Sequence, residues 1–214
     1  VTVTMAIGIT RMARRNAIVR KLSAVETLGS TTIICSDKTG TLTKNEMTVQ
    51  KIFFNLTEYN VTGVGYDAQG EIKDKQGEVI KIAQPEFELM IHSAVENNNT
   101  QLVDEIIKLK SKKMSKRKVI GLPTEAALLV LAEKCGYSTK AIRDEYVDVK
   151  ELLFTSERKR MSKFVRTKDN RLLLFTKGAP EAILNLCSSV YQNGSISQLT
   201  EDLKNTISQK VEEF

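Results

Sequence analysis

Residues 31–43 are Thr31-Thr32-Ile33-Ile34-Cys35-Ser36-Asp37-Lys38-Thr39-Gly40-Thr41-Leu42-Thr43. The first six are largely β-branched and apolar, which is typical of a strand buried on both faces of a parallel sheet. Asp37 follows at the carboxyl end of that strand, the edge at which open α/β sheets bind ligands. Gly40 permits a tight turn directly afterwards. The segment therefore predicts an α/β fold with a carboxylate at the edge of its sheet.

The residues around Asp37 suggest what this carboxylate does. Threonine hydroxyls at positions 39, 41 and 43, with neighbouring backbone N–H groups, can hold a phosphoryl group. A carboxylate so placed can attack the γ-phosphate of ATP, which divides one difficult hydrolysis into two displacements. A lone aspartate after a strand more commonly caps a turn. The hydroxyl-rich setting favours Asp37 as a nucleophile.

The segment Cys35–Thr43 resembles the phosphorylation signature of the P-type cation-transporting ATPases. The resemblance extends over essentially the whole chain. It implies a phosphorylation domain of haloacid-dehalogenase-like, Rossmann-like fold, into which an α+β nucleotide-binding domain with an antiparallel sheet is inserted. Residues 1–15 are then expected to be the end of a transmembrane helix and the stalk. Residues 16–45 would be the first part of the phosphorylation domain, and 46–214 a C-terminally truncated nucleotide-binding domain.

The same resemblance implies catalytic roles for Asp37, Lys38 and Thr39, with ATP as substrate and Mg²⁺ as cofactor. Asp37 and the carbonyl of Thr39 are the magnesium ligands expected from this chain. The family's later aspartate-containing segments, which surround the metal and the phosphate, do not occur in the sequence. We therefore expect the chain alone to bind nucleotide weakly and not to turn over.

Composition limits the other classes of function. The 214 residues are 41% hydrophobic and 27% charged, enough for one sizeable core or two small ones. The three cysteines, Cys35, Cys135 and Cys187, are far apart in no metal-like spacing and indicate a reducing compartment. The net charge of +6 suits an anionic nucleotide. Nucleic acid is not predicted as a partner, because aromatic residues are only 6% and tryptophan is absent.

The first ten residues are apolar and are followed by Arg11, Arg14 and Arg15. A membrane-spanning helix needs about 20 apolar residues, so this segment cannot span alone. Positive charge directly after an apolar run is the cytoplasmic-side pattern, whereas a signal peptide has the reverse order. We interpret the segment as the last turns of a transmembrane helix of a membrane protein, with this portion in the cytoplasm. An amphipathic helix packed on a soluble core is the alternative.

After residue 48, strands are predicted at 49–54 and 58–64, followed by a glycine-rich region that favours antiparallel sheet. A helix with one apolar face is predicted from Pro85 to Asn97. His92 lies beside that face and is assigned a structural role. The lysine-rich run 108–118 is predicted to be a solvated loop, although a patch for nucleic acid or anionic membrane is the alternative.

A helix is also predicted to begin at Pro123, within Gly121-Leu122-Pro123-Thr124-Glu125. Helix-start chemistry alone explains the acidic residue at Glu125, which suits the helix dipole. The segment also resembles a nucleotide-binding motif of the same family, which implies that Glu125 lies near the adenine amino group. The family frequently has an acidic residue where this chain has Leu122.

Two later segments complete the predicted nucleotide site. The block from Phe154 to Ser162 resembles the family motif Phe-x-x-x-x-Lys-x-Met-Ser and leads into a hairpin with a turn at 167–170. Phe154 can stack on a base, Lys159 can meet phosphate or ribose, and Met161 can pack beside the ring.

The sequence Lys177-Gly178-Ala179-Pro180-Glu181 lies at a strand-to-helix turn and matches another motif of the family. A lysine beside helix-start amides suits nucleotide phosphates, and the resemblance gives ATP-binding roles to Lys177 and Gly178.

The resemblance carried by these motifs implies the catalytic cytoplasmic portion of an ATP-driven cation pump that forms an aspartyl phosphate. Calcium is the expected ion, with a sodium/potassium or proton pump of the same family as the alternative. Its ion ligands would lie in membrane helices outside this sequence, and its partners would be the actuator and membrane domains. A haloacid-dehalogenase-type phosphatase would share Asp37 but carry a second aspartate at the position of Thr39. A noncatalytic ATP-binding module would need only the second half of the chain.

Overall fold

The computed structural model describes residues 2–21, 23–109 and 112–214, with the backbone alone at 106–109 and 112–116. The chain divides into two compact units, Val1–Asn45 and Glu46–Phe214.

The N-terminal unit contains helices α1 (Thr2–Arg14) and α2 (Ser23–Gly29). The last turn of α1 carries Arg11 and Arg14, where positive charge is favourable beside the negative end of the helix dipole. Within the described ranges, no helix has both the length and the apolar character that crossing a membrane requires.

Residues 31–37 form no strand, so the predicted buried strand before Asp37 is wrong. Ile33 and Ile34 are 76% and 82% exposed. A strand of a parallel sheet is stabilised by hydrogen bonds to neighbouring strands. All strand pairings in the described part of the chain join segments of the C-terminal unit, and all are antiparallel. The segment therefore has the composition of a strand but no strand to pair with.

The C-terminal unit combines helices with small antiparallel sheets. Its elements in chain order are β1 (Lys51–Phe54), β2 (Thr57–Val61), β3 (Ile72–Lys73), α3 (Pro85–Glu96), β4 (Gln101–Leu109), β5 (Lys112–Ile120), α4 (Pro123–Lys134), α5 (Thr139–Arg143), β6 (Tyr146–Thr155), β7 (Arg160–Thr167), β8 (Leu172–Gly178), α6 (Pro180–Leu184), β9 (Ser189–Gln192), β10 (Ser195–Gln198) and α7 (Glu201–Glu213). The sheets are β1-β2-β3, β4-β5, β6-β7-β8 and β9-β10. The predicted antiparallel sheet, the helices that begin at Pro85 and Pro123, and the hairpin around 167–170 are confirmed.

The lysine-rich run is not the solvated loop that its charge predicts. Its described residues belong to the hairpin β4–β5, in which pairing continues from Gln101 opposite Ile120 to Leu109 opposite Lys112. Backbone hydrogen bonds hold such a ladder whatever the side chains. Residues 110–111 of the run lie outside the described residues.

The core of this unit forms where α3 meets α4 and the first sheet. Phe87, Ile91 and Val95 recur every fourth residue along α3 and are at most 1% exposed. Phe87 packs edge to face on Phe54 of β1, with ring centroids 5.3 Å apart. Leu129 of α4 joins the same cluster. This packing places the end of α3 beside the start of α4, where the polar cluster described next is built.

Candidate functional site

The carboxylate of Glu125 is the centre of the polar cluster. Glu125 is the third residue of α4, and its side chain is 10% exposed. Lys177 Nζ, at the end of β8, donates to Oε1 at 2.8 Å. The backbone N–H of Asn99 and the hydroxyl of Thr100 donate to Oε2 at 3.1 and 3.0 Å. Glu125 and Lys177, which were predicted from two separate motifs, therefore form one ion pair.

Burial by itself raises the pKa of the Glu125 carboxyl, since the charged form loses water. The hydrogen bond and charge of Lys177, with the donors Thr100 and Asn99, outweigh that effect and leave the pKa below its ordinary value of 4.5. The carboxylate is therefore ionised at neutral pH and is matched by a cation.

The register of β7 and β8 brings further predicted residues to the same end of the β6-β7-β8 sheet. Met161 lies directly opposite Lys177, and Arg160 lies opposite Gly178. A Cβ atom at Gly178 would lie 2.4 Å from the carbonyl oxygen of Lys159 and 2.6 Å from Arg160 Cβ. Only glycine allows the two strands to approach so closely at this point.

Two exposed predicted residues lie next to this end of the sheet. Lys159 occupies the left-handed region with φ of 51°, and its carbonyl accepts from the backbone N–H of Ala179 at 2.9 Å. Its side chain is 58% exposed, and its Nζ lies 3.5 Å from Glu181 Oε1. Phe154 is 59% exposed and precedes Thr155, which pairs with Arg160. An exposed cation and an exposed ring thus flank the strands that carry Met161 and Lys177.

The segment 97–100 organises the site and was not predicted to do so. Asn97 Nδ2 donates to the carbonyl of Met161 at 3.0 Å, and Asn98 Nδ2 donates to the carbonyl of Glu125 at 2.9 Å. Asn98 Oδ1 also accepts from the backbone N–H of Thr100. The sequence pattern alone had indicated only that a helix ends at the three asparagines 97–99. Their tendency to bind backbone groups in loops was the available signal.

A second carboxylate, Glu96, lies immediately before this segment and is 2% exposed. Its Oε2 lies 3.5 Å from Lys163 Nζ, which is closer, at 2.8 Å, to Asp148. Within the described residues, Glu96 Oε1 and Asn97 Oδ1 are buried without a hydrogen-bond partner. Burial raises the pKa of the Glu96 carboxyl, and the charge of Lys163 offsets only part of that rise.

His92 has a packing role, as predicted. Its Nδ1 lies 2.7 Å from the Tyr146 hydroxyl, and the two rings meet edge to face.

Asp37, Lys38 and Thr39 lie in an exposed turn of the N-terminal unit. Asp37 Oδ1 accepts from the backbone N–H of Thr39 at 3.4 Å, and the N–H of Thr43 donates to the Lys38 carbonyl at 3.0 Å. Gly40 has φ of 79°, which confirms the predicted glycine turn. The described ranges contain no group of three or more histidine, cysteine, aspartate or glutamate side chains placed to hold a metal ion.

Comparison with known proteins identifies the chain's family. The model of the family described as P-type ATPase, cytoplasmic domain N, matches residues 86–214, which include the whole Glu125–Lys177 cluster. The chain belongs to this family. The resemblance to P-type cation-transporting ATPases inferred from the motifs is thereby confirmed.

Three proteins similar to the chain are named as calcium- or cation-transporting ATPases. The chain is 35% identical to a calcium-transporting ATPase of Bacillus subtilis, over 95% of this chain and 22% of that protein. It is 38% identical to calcium-transporting ATPase type 2C member 1 of Homo sapiens, over 98% of this chain and 22% of that protein. It is 36% identical to the cation-transporting ATPase pma1 of Synechocystis, over 95% and 23%. The chain thus spans under a quarter of the length of these relatives.

The two carboxylates should respond to pH in opposite directions. The stability contributed by ionised Glu125 is fully present above pH 4.5 and is lost as pH falls through its lower folded-state pKa. Glu96 has a folded-state pKa above 4.5, so wild type loses stability as pH rises from 4.5 through that higher value. On acidification, the unfolding free energy of wild type minus that of Glu125→Gln should therefore fall. The unfolding free energy of wild type minus that of Glu96→Gln should rise.

Urea unfolding of the three proteins between about pH 3 and about pH 7 measures both differences. Each variant is the control for the other, because a general effect of acid would change both differences with the same sign. Differences that move together with pH would contradict the assignment of the two environments.

Proposed function

We propose that this chain binds ATP at the Glu125–Lys177 cluster and is phosphorylated at Asp37, as part of an ATP-driven calcium pump. The observation that carries the proposal is the ion pair between buried Glu125 and partly buried Lys177, at an end of the sheet flanked by Phe154 and Lys159. An ion pair that serves stability alone needs neither an exposed ring nor an exposed cation beside it. The names of the relatives, which are calcium- and cation-transporting ATPases, support the reaction and the ion.

Each site residue has a role that its position supports. Phe154, which is exposed, stacks on the base with its ring, and Met161 packs beside the base. Glu125 accepts a hydrogen bond from the adenine amino group. Lys159 binds phosphate or ribose with its exposed ammonium group. Lys177 neutralises Glu125 and, beside Gly178 at the end of β8, contributes positive charge toward the nucleotide.

The proposed chemistry begins at Asp37. One carboxylate oxygen attacks the γ-phosphorus, the bond from that phosphorus to the β–γ bridging oxygen breaks, and ADP leaves with the electron pair. Water later cleaves the acyl phosphate to regenerate Asp37 and release phosphate. Lys38 and Thr39 neighbour the phosphoryl group, and Asp37 with the Thr39 carbonyl would hold Mg²⁺, which neutralises phosphate charge. Thr39 replaces the second aspartate of a phosphatase, which favours a persistent intermediate over a haloacid-dehalogenase-type phosphatase.

We assign residues 16–45 to the first part of a haloacid-dehalogenase-like phosphorylation domain and 46–214 to the nucleotide-binding domain. Residues 1–15 would lead from a membrane helix into the cytoplasm. The actuator and membrane domains are the proposed partners, and the transported cation binds in membrane helices outside this sequence. A sodium/potassium or proton pump is the alternative within the family.

ATP binding to the 214-residue chain should weaken in Lys177→Ala and Phe154→Ala. Loss of a charged hydrogen-bonding group and of a stacked ring each predicts a roughly tenfold or larger rise in Kd. Val147→Ala and Lys204→Ala are matched controls, because they remove an exposed apolar side chain and an ion-paired lysine elsewhere. Titration followed by fluorescence competition gives all five affinities, and unchanged affinity in the first two variants would refute the site.

Acid-quenched labelling with γ-labelled ATP tests the nucleophile in a complete pump that contains this chain. Wild type should carry hydroxylamine-labile label, and Asp37→Asn should carry none, because an amide cannot form the acyl phosphate. Asp74→Asn is the matched control, since Asp74 also accepts backbone N–H groups in a turn. Equal labelling of wild type and Asp37→Asn, or its absence from both, would overturn the proposed intermediate.

A further inference from the structure

Thr100 connects the start of α4 to the Glu125 carboxylate. The residue is fully buried, and its hydroxyl accepts from the backbone N–H of Leu122 at 2.9 Å. The single hydroxyl proton has two acceptors, Glu125 Oε2 at 3.0 Å and the Leu122 carbonyl at 3.4 Å. The proton goes to the carboxylate, because that acceptor is both closer and charged.

This arrangement changes how α4 begins. Leu122 is the N-cap residue and has no side chain to cap the helix, while Glu125 is the third helical residue. A glutamate at that position ordinarily reaches back to the N–H of the N-cap residue. Thr100 already occupies that N–H from outside the helix. The Glu125 carboxylate therefore does not accept from the N–H of its own N-cap residue and binds Lys177 instead.

Gly121 shows that the approach of Thr100 is built into the loop before α4. Gly121 has φ of 134°, and a Cβ there would lie 2.2 Å from Thr100 Oγ1 and 2.8 Å from Thr100 Cβ. A side chain at position 121 would displace Thr100 from both of its partners.

The hydrogen bonds also determine which oxygen of Glu125 remains available. Each carboxylate oxygen has about two acceptor positions. Thr100 and Asn99 fill both positions of Oε2, whereas Lys177 fills one position of Oε1. One position of Oε1 is left, on a side chain that keeps 10% exposure.

We propose that Thr100 is a positioning residue for base recognition: it binds the Leu122 N–H and Glu125 Oε2 and so presents the remaining acceptor position of Oε1 to the exocyclic amino group of adenine. The inference rests on the proposed ATP site and adds a residue that does not touch the nucleotide. Its consequence is selectivity between bases, because inosine carries a carbonyl oxygen where adenosine carries the amino group.

The test compares ATP and ITP binding to the 214-residue chain in wild type, Thr100→Val, Thr100→Ser and Glu125→Gln. Thr100→Val keeps the shape but removes the hydroxyl, and the preference for ATP over ITP should fall about tenfold, the loss expected for one hydrogen bond to a charged group. ITP affinity should change by less than about twofold, since ITP does not use the acceptor position. Thr100→Ser should restore the preference, and Glu125→Gln should lose it. Thr62→Val is the matched control, because that hydroxyl binds the Glu71 backbone instead.

The outcomes separate this inference from the proposed function. If Glu125→Gln loses the preference while Thr100→Val keeps it, the inference fails and the ATP site stands. Equal weakening of ATP and ITP in Thr100→Val, or failure of Thr100→Ser to restore selectivity, also overturns it by indicating a purely structural role. If wild type binds neither nucleotide, both proposals fail. Should Thr100→Val not fold, Thr100→Cys, whose thiol is a weak donor, decides the same comparison, and wild-type selectivity in that variant overturns the inference.

Discussion

A carboxylate that is nine-tenths removed from water must be matched by donors, and Glu125 imposes this requirement on the centre of the C-terminal unit. Its donors come from two other parts of the chain, the loop after α3 and the end of β8. Removing one partner of a buried ion pair commonly destabilises a protein by about 3–5 kcal/mol. Glu125 and its donors therefore join α4 to the loop after α3 and to the β6-β7-β8 sheet.

That arrangement has the features of a ligand site rather than of a closed core. The amide of Asn97 holds the backbone of Met161, and the amide of Asn98 holds the backbone of Glu125, so the strand and the helix are tied to the same loop. Exposed Phe154 and Lys159 lie at the outer edge. Rigid inner groups with an accessible ring and cation outside them suit a nucleotide, whose base and phosphates need different surroundings.

Local patterns predicted the parts of this fold that depend on nearby residues. Proline starts and apolar spacing located α3 and α4, and the predicted turn at 167–170 located the hairpin of β7 and β8. Residues 31–36 have a strand's composition, but a strand also requires partners, which composition does not reveal. The lysine-rich run was misjudged for the converse reason, since a backbone ladder tolerates charge. Resemblance to a family named the residues Glu125 and Lys177, yet their contact and the role of Thr100 depend on packing between distant segments.

The central claim is that the nucleotide binds where the start of β7, the end of β8 and the start of α4 meet. Nuclear Overhauser effects between bound ATP and the isotope-labelled chain measure this most directly. The account predicts contacts from the adenine protons to the ring of Phe154 and the methyl group of Met161, with the amide signals of Glu125 and Lys177 shifting on saturation. Contacts from adenine to residues elsewhere in the chain, with the amide signals of Glu125 and Lys177 unchanged, would contradict it.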